Sequence, residues 1–277
     1  MRLPTAFIPV LMIVTALVSL MAMRVAGAPN VSLFIQAAAF VLAVLAALPK
    51  RVGATLGGID ARWLCGAVAL VAGAVLFAGV EIDGARRWLR IGPVLIHPAS
   101  LLGSVLLLAL VRAPGDTLCA MFSGVAVLCF GLGNDGAASL AFALGLGALL
   151  LGEQKHWKTL LPLCMLALGL AAWGWTRPDS LAPVGYVEEI IGRSAMVSMP
   201  LGVAAACLLA LLPLSFLAAA GRNARRRSVG YALAGFWLGL AVAGLVGNYP
   251  VPLLGYGASP VIGWALAMGM LLNSRSA

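Results

Sequence analysis

The sequence predicts an all-α integral membrane protein: about ten transmembrane helices in a single bundle over residues 1–277, with both termini cytoplasmic. Three observations predict it. The chain is 62% hydrophobic and only 10% charged, with a mean hydropathy of +1.06, whereas soluble domains carry about 25% charged residues. Apolar runs of about 17–22 residues recur from end to end, each long enough to cross a hydrocarbon core of about 30 Å. The basic residues are also divided unequally between alternate loops.

The runs place spans at about 5–23, 31–48, 64–80, 98–111, 117–133, 136–152, 159–175, 195–218, 229–247 and 257–272. With the N-terminus inside, the inner side receives Arg2, Lys50, Arg51, Arg62, Arg112, Lys155, Lys158, Arg222, Arg225, Arg226, Arg227 and Arg275. The outer side receives Arg24, Arg86, Arg87, Arg90, Arg177 and Arg193. This 12-to-6 division obeys the positive-inside rule. The net charge of +9 is therefore read as topology and attraction to anionic membrane lipids, and nucleic acid is excluded as a partner. Cys65, Cys119, Cys129, Cys164 and Cys207 all fall inside the predicted spans without paired or metal-like spacing, so they are expected to pack as small apolar residues.

Taken in order, span 1 follows Pro4, and Pro9 falls in its first turn, where proline is tolerated. Arg2, the apolar run and the small residues Val25-Ala-Gly-Ala28 also suit a signal peptide. Its removal would leave an odd number of spans and misplace Lys50 and Arg51, so the first helix is expected to stay. Span 2 stops at Pro49-Lys50-Arg51, and 52–61 is a Gly-bearing inner loop. Span 3 leads out to Asp83–Pro98, where Arg86, Arg87 and Arg90 alternate with Trp88, Leu89 and Ile91. That pattern suits an amphipathic segment at the membrane interface, with the Trp at headgroup level and the guanidinium groups at phosphates. Pro98 opens span 4.

Residues 131–136 join spans 5 and 6 outside. Asp135 there is a carboxylate at the membrane edge, expected to be wet or paired, although Asn-Asp-Gly is also a strong turn former. His156, in the inner loop 152–158, is expected to be solvated. Span 7 runs out to 176–193, the largest outer loop, with Asp179, Glu188 and Glu189 among the chain's 9 acidic residues. The basic stretch 222–227 anchors the inner side. Prolines and glycines in Asn248–Ser259 imply broken helix at membrane depth, which survives only where it lines a cavity or is covered by protein.

These motifs together resemble the SEDS family (shape, elongation, division and sporulation), the FtsW and RodA peptidoglycan polymerases. Gly84-Ala-Arg-Arg-Trp-Leu-Arg-Ile-Gly-Pro93 is similar to the family's signature loop. Leu132–Ser139 resembles a worn Gln-Pro-Asp-Leu-Gly-Thr-Ala in which Asp135 alone stands. Asn248–Ser259 resembles Pro-Leu-Pro-Phe-x-Ser-Tyr-Gly-Gly-Ser-Ser and keeps Pro250, Pro252, Tyr256, Gly257 and Ser259. The family's essential Asp sits in Leu-Pro-Glu-x-His-Thr-Asp-Phe. Laying Pro183 on that Pro puts Glu188 on the Asp and Tyr186 on the His. A second register lays Glu188-Glu189 on a later acidic pair and leaves Asp179 for the catalytic position, but it makes span 8 too long before Arg222.

The resemblance implies a SEDS-like bundle in a bacterial cytoplasmic membrane, acting on a lipid-linked cell-wall precursor beside a class B penicillin-binding protein or another envelope-complex subunit. Glu188, Glu189 and Asp179 are then the candidate catalytic carboxylates. Arg86, Arg87, Trp88, Arg90, His97, Asp135, Tyr256 and Ser259 are the candidate substrate-binding residues, the arginines facing the pyrophosphate. A divalent cation is compatible with this chemistry, although no ligand spacing points to one. Departures accompany the match. Where the family has Gln-Pro-Ser-Glu and, three residues on, Lys, this chain has His97-Pro-Ala-Ser100 and Gly103. Three functions compete: a divergent glycosyltransferase, a non-catalytic scaffold of an envelope complex, and a precursor transporter. The near absence of mid-span charges argues against the last.

Overall fold

The computed structural model describes residues 7–47, 55–92, 94–177, 182–221 and 224–273. Asp179, with Arg2, Lys50, Arg51, Arg222 and Arg275 of the charge division, lies outside the described residues. The helices follow the apolar runs: α1 (Phe7–Val25), α2 (Asn30–Leu42, continued by a π-turn Ala43–Ala47), α3 (Ala61–Ala78), α4 (Pro98–Arg112), α5 (Thr117–Leu132), α6 (Gly136–Gly152), α7 (Trp157–Thr176), α8 (Ile190–Val197), α9 (Met199–Ala220), α10 (Ala224–Val246) and α11 (Ala258–Asn273). Among the described residues five helical stretches, those of α1, α3, α7, α9 and α10, are long and apolar enough to cross a membrane. The others that match spans are apolar but shorter, at 10–17 residues.

Two features depart from the helical reading. The predicted span at 195–218 is broken at Ser198, whose backbone is extended (φ −149°, ψ 103°), leaving α8 and α9 on either side. Pro200 explains the break, because it has no N–H to offer Met196 and its ring crowds that carbonyl. The interface segment is a three-stranded antiparallel sheet, β1 (Val80–Ile82), β2 (Ala85–Ile91) and β3 (Val94–Ile96). Its first turn is Asp83-Gly84, with φ of +48° and +81°. Two consecutive left-handed residues make the hairpin turn that matches strand twist, and Asp-Gly is a sequence that favours it. The period of 2 in a strand then sends Arg86 and Arg87 to opposite faces.

Capping fixes where several helices start. Asp60, Asp116 and Asp135 accept from the amides of Arg62, Cys119 and Ala138 at 2.8, 2.9 and 2.9 Å. Each satisfies an N–H that the helix leaves without a partner. At the end of the bundle holding 56–62 and 112–116, Asp116 also pairs with Arg62 at 2.6 Å, which holds its carboxyl down at about 2. Arg112 donates to the carbonyls of Leu56 and Ile59.

In the core, α10 packs against α6, α6 against α7, α3 against α5, and α11 against α4. Gly239 lets α10 lie on the α6 backbone, where an added Cβ would stand 2.5 Å from Ala141 Cα. Gly263 does the same for α11 against the Ser100 carbonyl of α4. Phe142, Phe216, Phe236, Trp237 and Trp264 fill the centre, and the Trp237 indole donates to Ser104 Oγ at 3.0 Å. An apolar groove of about 740 Å³ opens between α6, α9 and α10, past Leu209, Pro213 and Gly235, and no candidate site residue lines it.

The remaining element is the broken segment 247–257 between α10 and α11, which makes no regular secondary structure. Val251, Pro252, Leu253 and Leu254 are nonetheless buried, and Leu253 has a left-handed backbone (φ +61°).

Reporter fusions placed after Arg227 and within 182–190 are expected to lie on opposite sides of the membrane. Activity of the same kind at both positions would refute the ten-span path.

Candidate functional site

The site is assembled at the end of the bundle where the sheet, the 131–135 turn and the broken segment converge. β2 docks on that turn by donating the Arg86 N–H to the Gly133 carbonyl at 2.9 Å. The strand's alternation then drives Arg87 inward, to 3% exposure. Its Nε–H donates to the Asn134 carbonyl at 2.8 Å, and Asn134 turns the chain with φ +61°. The Arg87 guanidinium lies 4.7 Å from the Tyr249 ring and 5.8 Å from that of Trp88. Both rings offer their negative faces to a cation removed from water.

Next to it stands a pair that neither residue advertised alone. His97, the residue preceding α4, reaches Asp135 Oδ2 through Nε2 at 2.8 Å. The other ring nitrogen, Nδ1, lies 2.9 Å from Ser100 Oγ and 3.3 Å from the Ser100 amide. Nε2 donates to the carboxylate in either charge state, because Nδ1 can accept from the amide or donate to the hydroxyl. The His97 N–H in turn donates to Ser259 Oγ at 2.8 Å, which ties α4 to α11.

Asp135 is 1% exposed. Burial pushes its carboxyl up, but the adjacent His97 ring, the Arg87 charge and the Ala138 amide outweigh burial and hold it below its ordinary value of 3.8. The carboxylate thus stays charged, held by the His97 ring and the Ala138 amide and within the field of Arg87, as a buried ion requires.

The broken segment links this cluster to the acidic turn. Tyr249 stacks over Arg87, and Ser259, just past the segment, meets His97. On the other side, the Val251 N–H donates to the Val187 carbonyl at 3.2 Å and the Tyr256 N–H to the Tyr186 carbonyl at 3.0 Å. The rings of Tyr186 and Tyr256 meet edge to face at 6.4 Å. Glu188 is half-buried in that turn, where Oε2 accepts the Val184 N–H at 2.8 Å. Glu189 instead pairs with Arg193 at 2.7 Å, one turn along α8.

The candidates therefore divide. Arg87, Trp88, His97, Asp135 and Ser259 come together, with Tyr256 and Glu188 joined through the broken segment. Arg86 points the other way and pairs with Glu81 at 2.6 Å. Arg90 is exposed at the sheet's rim, and Asp179 is outside the described residues. Sequence reasoning missed Ser100, Asn134 and Tyr249. The Asp-Gly hairpin signal, followed through its period of 2, would have set Arg87 apart from Arg86. Among the described residues no group of three or more His, Cys, Asp or Glu stands together, so a divalent cation finds no ligand set among them. Gly103, two turns into α4, faces aromatic rings: an added Cβ would stand 2.5 Å from Phe236 Cζ and 3.1 Å from Phe142 Cζ.

No family model matches the chain. A stretch of 112 residues is 33% identical to the probable peptidoglycan glycosyltransferase FtsW of Nitrosococcus halophilus, covering 36% of this chain and 29% of that relative. The chain thus spans under a third of the length of the curated relative it matches. Among solved structures, RodA of Thermus thermophilus, the rod shape determining protein, superposes with a TM-score of 0.61 at 22% identity, over 98% of this chain and 96% of that one. A point mutant of the same protein gives 0.64 at 23% identity with the same coverage. A chain of a peptidoglycan synthase complex gives 0.60 at 23% identity, over 95% and 96%. At these identities the superpositions establish the fold.

Asp135→Ala is expected to destabilise the protein by about 1–3 kcal/mol for each donor it strands, the His97 Nε2–H and the Ala138 amide. Asp135→Asn keeps a cap acceptor and is expected to cost less. Thermal melting in detergent checks both. Since the folded carboxyl sits below 3.8, its contribution is complete above that pH and is lost as the pH falls through the lowered value. The wild-type melting temperature should therefore lose this contribution only in strong acid, and Asp135→Asn should remove that part of the fall.

Proposed function

We propose that this chain, an FtsW homologue with the fold of RodA and thus a multi-pass membrane protein of SEDS type, transfers glycosyl units between lipid-linked cell-wall precursors at the outer face of the cytoplasmic membrane. The observation that carries the reading is the segment 247–259, which touches the buried charge cluster with one end and the acidic turn with the other. A polymerase of lipid-linked disaccharides needs a base for the acceptor sugar held in fixed relation to the cations that meet the pyrophosphate. The segment ties the acidic turn to the cluster that anchors the arginine-bearing sheet.

In this reading the acceptor hydroxyl gives its proton to Glu188 as its oxygen attacks the anomeric carbon of the donor disaccharide. The bond from that carbon to undecaprenyl pyrophosphate breaks, and the leaving group departs with the electron pair. The Val184 amide holds Glu188 in its turn, donating to Oε2 at 2.8 Å. Arg86 and Arg90 are the exposed cations of the sheet and the candidates to meet the pyrophosphate. Arg87 is buried, which supports a role in holding the loop against Asn134 and Tyr249. A class B penicillin-binding protein is the proposed partner, since a chain of similar fold works within a peptidoglycan synthase complex.

One observation favours a second reading, a SEDS-type scaffold without turnover. The family's Lys position is Gly103, and the space a side chain would need is filled by Phe236 and Phe142. The family's Glu position is Ser100, whose hydroxyl is engaged with His97.

The deciding experiment measures polymer formed from lipid-linked disaccharide in purified membranes. Glu188→Gln is expected to lower the rate at least about 100-fold, while Glu189→Gln and Asp179→Asn leave it within about threefold. Loss confined to Asp179→Asn moves the base to the other register. If the wild type makes no polymer with any class B partner while its deletion still disrupts a complex, the scaffold reading replaces the enzyme.

A further inference from the structure

Two fully buried polar side chains on the first two helices have no place in the site so far. Gln36 of α2 and Ser19 of α1 are each 0% exposed. Gln36 Nε2 donates to the carbonyls of Leu253 and Gly255 at 3.3 and 3.2 Å and approaches Ser19 Oγ at 3.3 Å. Its Oε1 accepts the Gly257 N–H at 3.0 Å. The Ser19 hydroxyl donates to the Leu254 carbonyl at 2.9 Å. One amide and one hydroxyl thus satisfy four backbone groups within five residues, in a stretch where no helix or strand satisfies them.

The side-chain chemistry is specific. The site needs donors for two carbonyls and an acceptor for one amide on the same planar group, at the length of Gln. An ionised Glu has no donor, Lys no acceptor, and Asn is one methylene short. Thr15, the other buried polar side chain of α1, bonds to its own helix at Leu11. The grip is also one side of a clamp. Across the segment, the Val251 and Tyr256 amides bond to Val187 and Tyr186, and Gly255 presses on the Val187 carbonyl so closely that a Cβ would not fit. Leu253 is held in a left-handed conformation that leucine does not otherwise favour.

We infer that Gln36, assisted by Ser19, is the positioning residue that sets the backbone of 253–257, and through it the placement of the Tyr186–Glu188 turn relative to the His97–Asp135–Arg87 cluster. Only the catalytic consequence rests on the glycosyltransferase reading; the positioning itself does not. Neither side chain touches the reacting groups. Both fix the rail on which the two halves of the site are mounted.

The test pairs hydrogen-exchange mass spectrometry with turnover, on the full chain in lipid nanodiscs. In Gln36→Leu, the amides of 251–257 and of 186–188 are expected to exchange at least about tenfold faster. Those of 232–243, in the middle of α10, should keep their wild-type rates. Polymer formation should lose kcat by at least about tenfold with KM unchanged. Unchanged exchange at 251–257, or a rise spread evenly over the chain, would overturn the inference by reducing Gln36 to a contributor to bundle stability. If the wild type itself forms no polymer, the glycosyltransferase reading fails while the exchange pattern still decides this one. Should Gln36→Leu not accumulate, Ser19→Ala carries the same readout, with an expected rise of about threefold at 253–257; no rise would overturn the proposal.

Discussion

A backbone that leaves its helix inside a membrane must find partners for every N–H and C=O it frees, because the hydrocarbon offers none. The segment 247–257 is where this chain meets that demand. Its partners come from α1, α2 and the 184–188 turn, elements far apart in sequence. At eleven residues the segment is longer than the roughly 2–8 that commonly join neighbouring helices. With the detour, the first two helices are bound to the last, and the acidic turn is held from inside the protein rather than left to the interface.

The buried charges follow from the same economy of partners. Arg87 enters the protein because a strand's alternation puts it there, and a guanidinium in that position needs a counter-charge, acceptors and polarisable neighbours. Asp135, the Asn134 carbonyl and two aromatic faces supply them. Asp135 serves twice, as helix cap and as counter-ion, with His97 bridging it to α4 and Ser259. A cluster so fully satisfied is rigid, and its chemistry is that of a support. Glu188 sits half-buried in its turn, with Oε2 accepting the Val184 N–H.

Much of the fold was legible because helix spans are written in composition. Runs such as 117–133 and 136–152 match α5 and α6 almost residue for residue. What was not legible depends on local geometry or on distant partners. The strands at 80–96 were hidden by a resemblance read as a motif rather than as a period, although Asp83-Gly84 carried the turn. The break at Ser198 was lost in an unbroken apolar run, where Pro200 was the lone signal. His97 and Asp135 were each singled out, but nothing in a separation of 38 residues discloses that they touch. Gln36 was invisible for a plainer reason: a single polar residue in an apolar span has no periodicity, and its partners are main-chain atoms, which leave no mark in the sequence.

The packing of Phe236 against Gly103 bears on any attempt to place a charge there. A lysine introduced at 103 alone would collide with the rings of Phe236 and Phe142, at an overpacking cost of about 1–3 kcal/mol before its charge is counted. A counter-charge one turn earlier would be missing as well, since Ser100 stands there. Neither change is useful without the other, and both need a smaller residue at 236. A charged pair at 100 and 103 therefore takes at least three coordinated substitutions, because each one alone leaves either a steric clash or an unpaired buried charge.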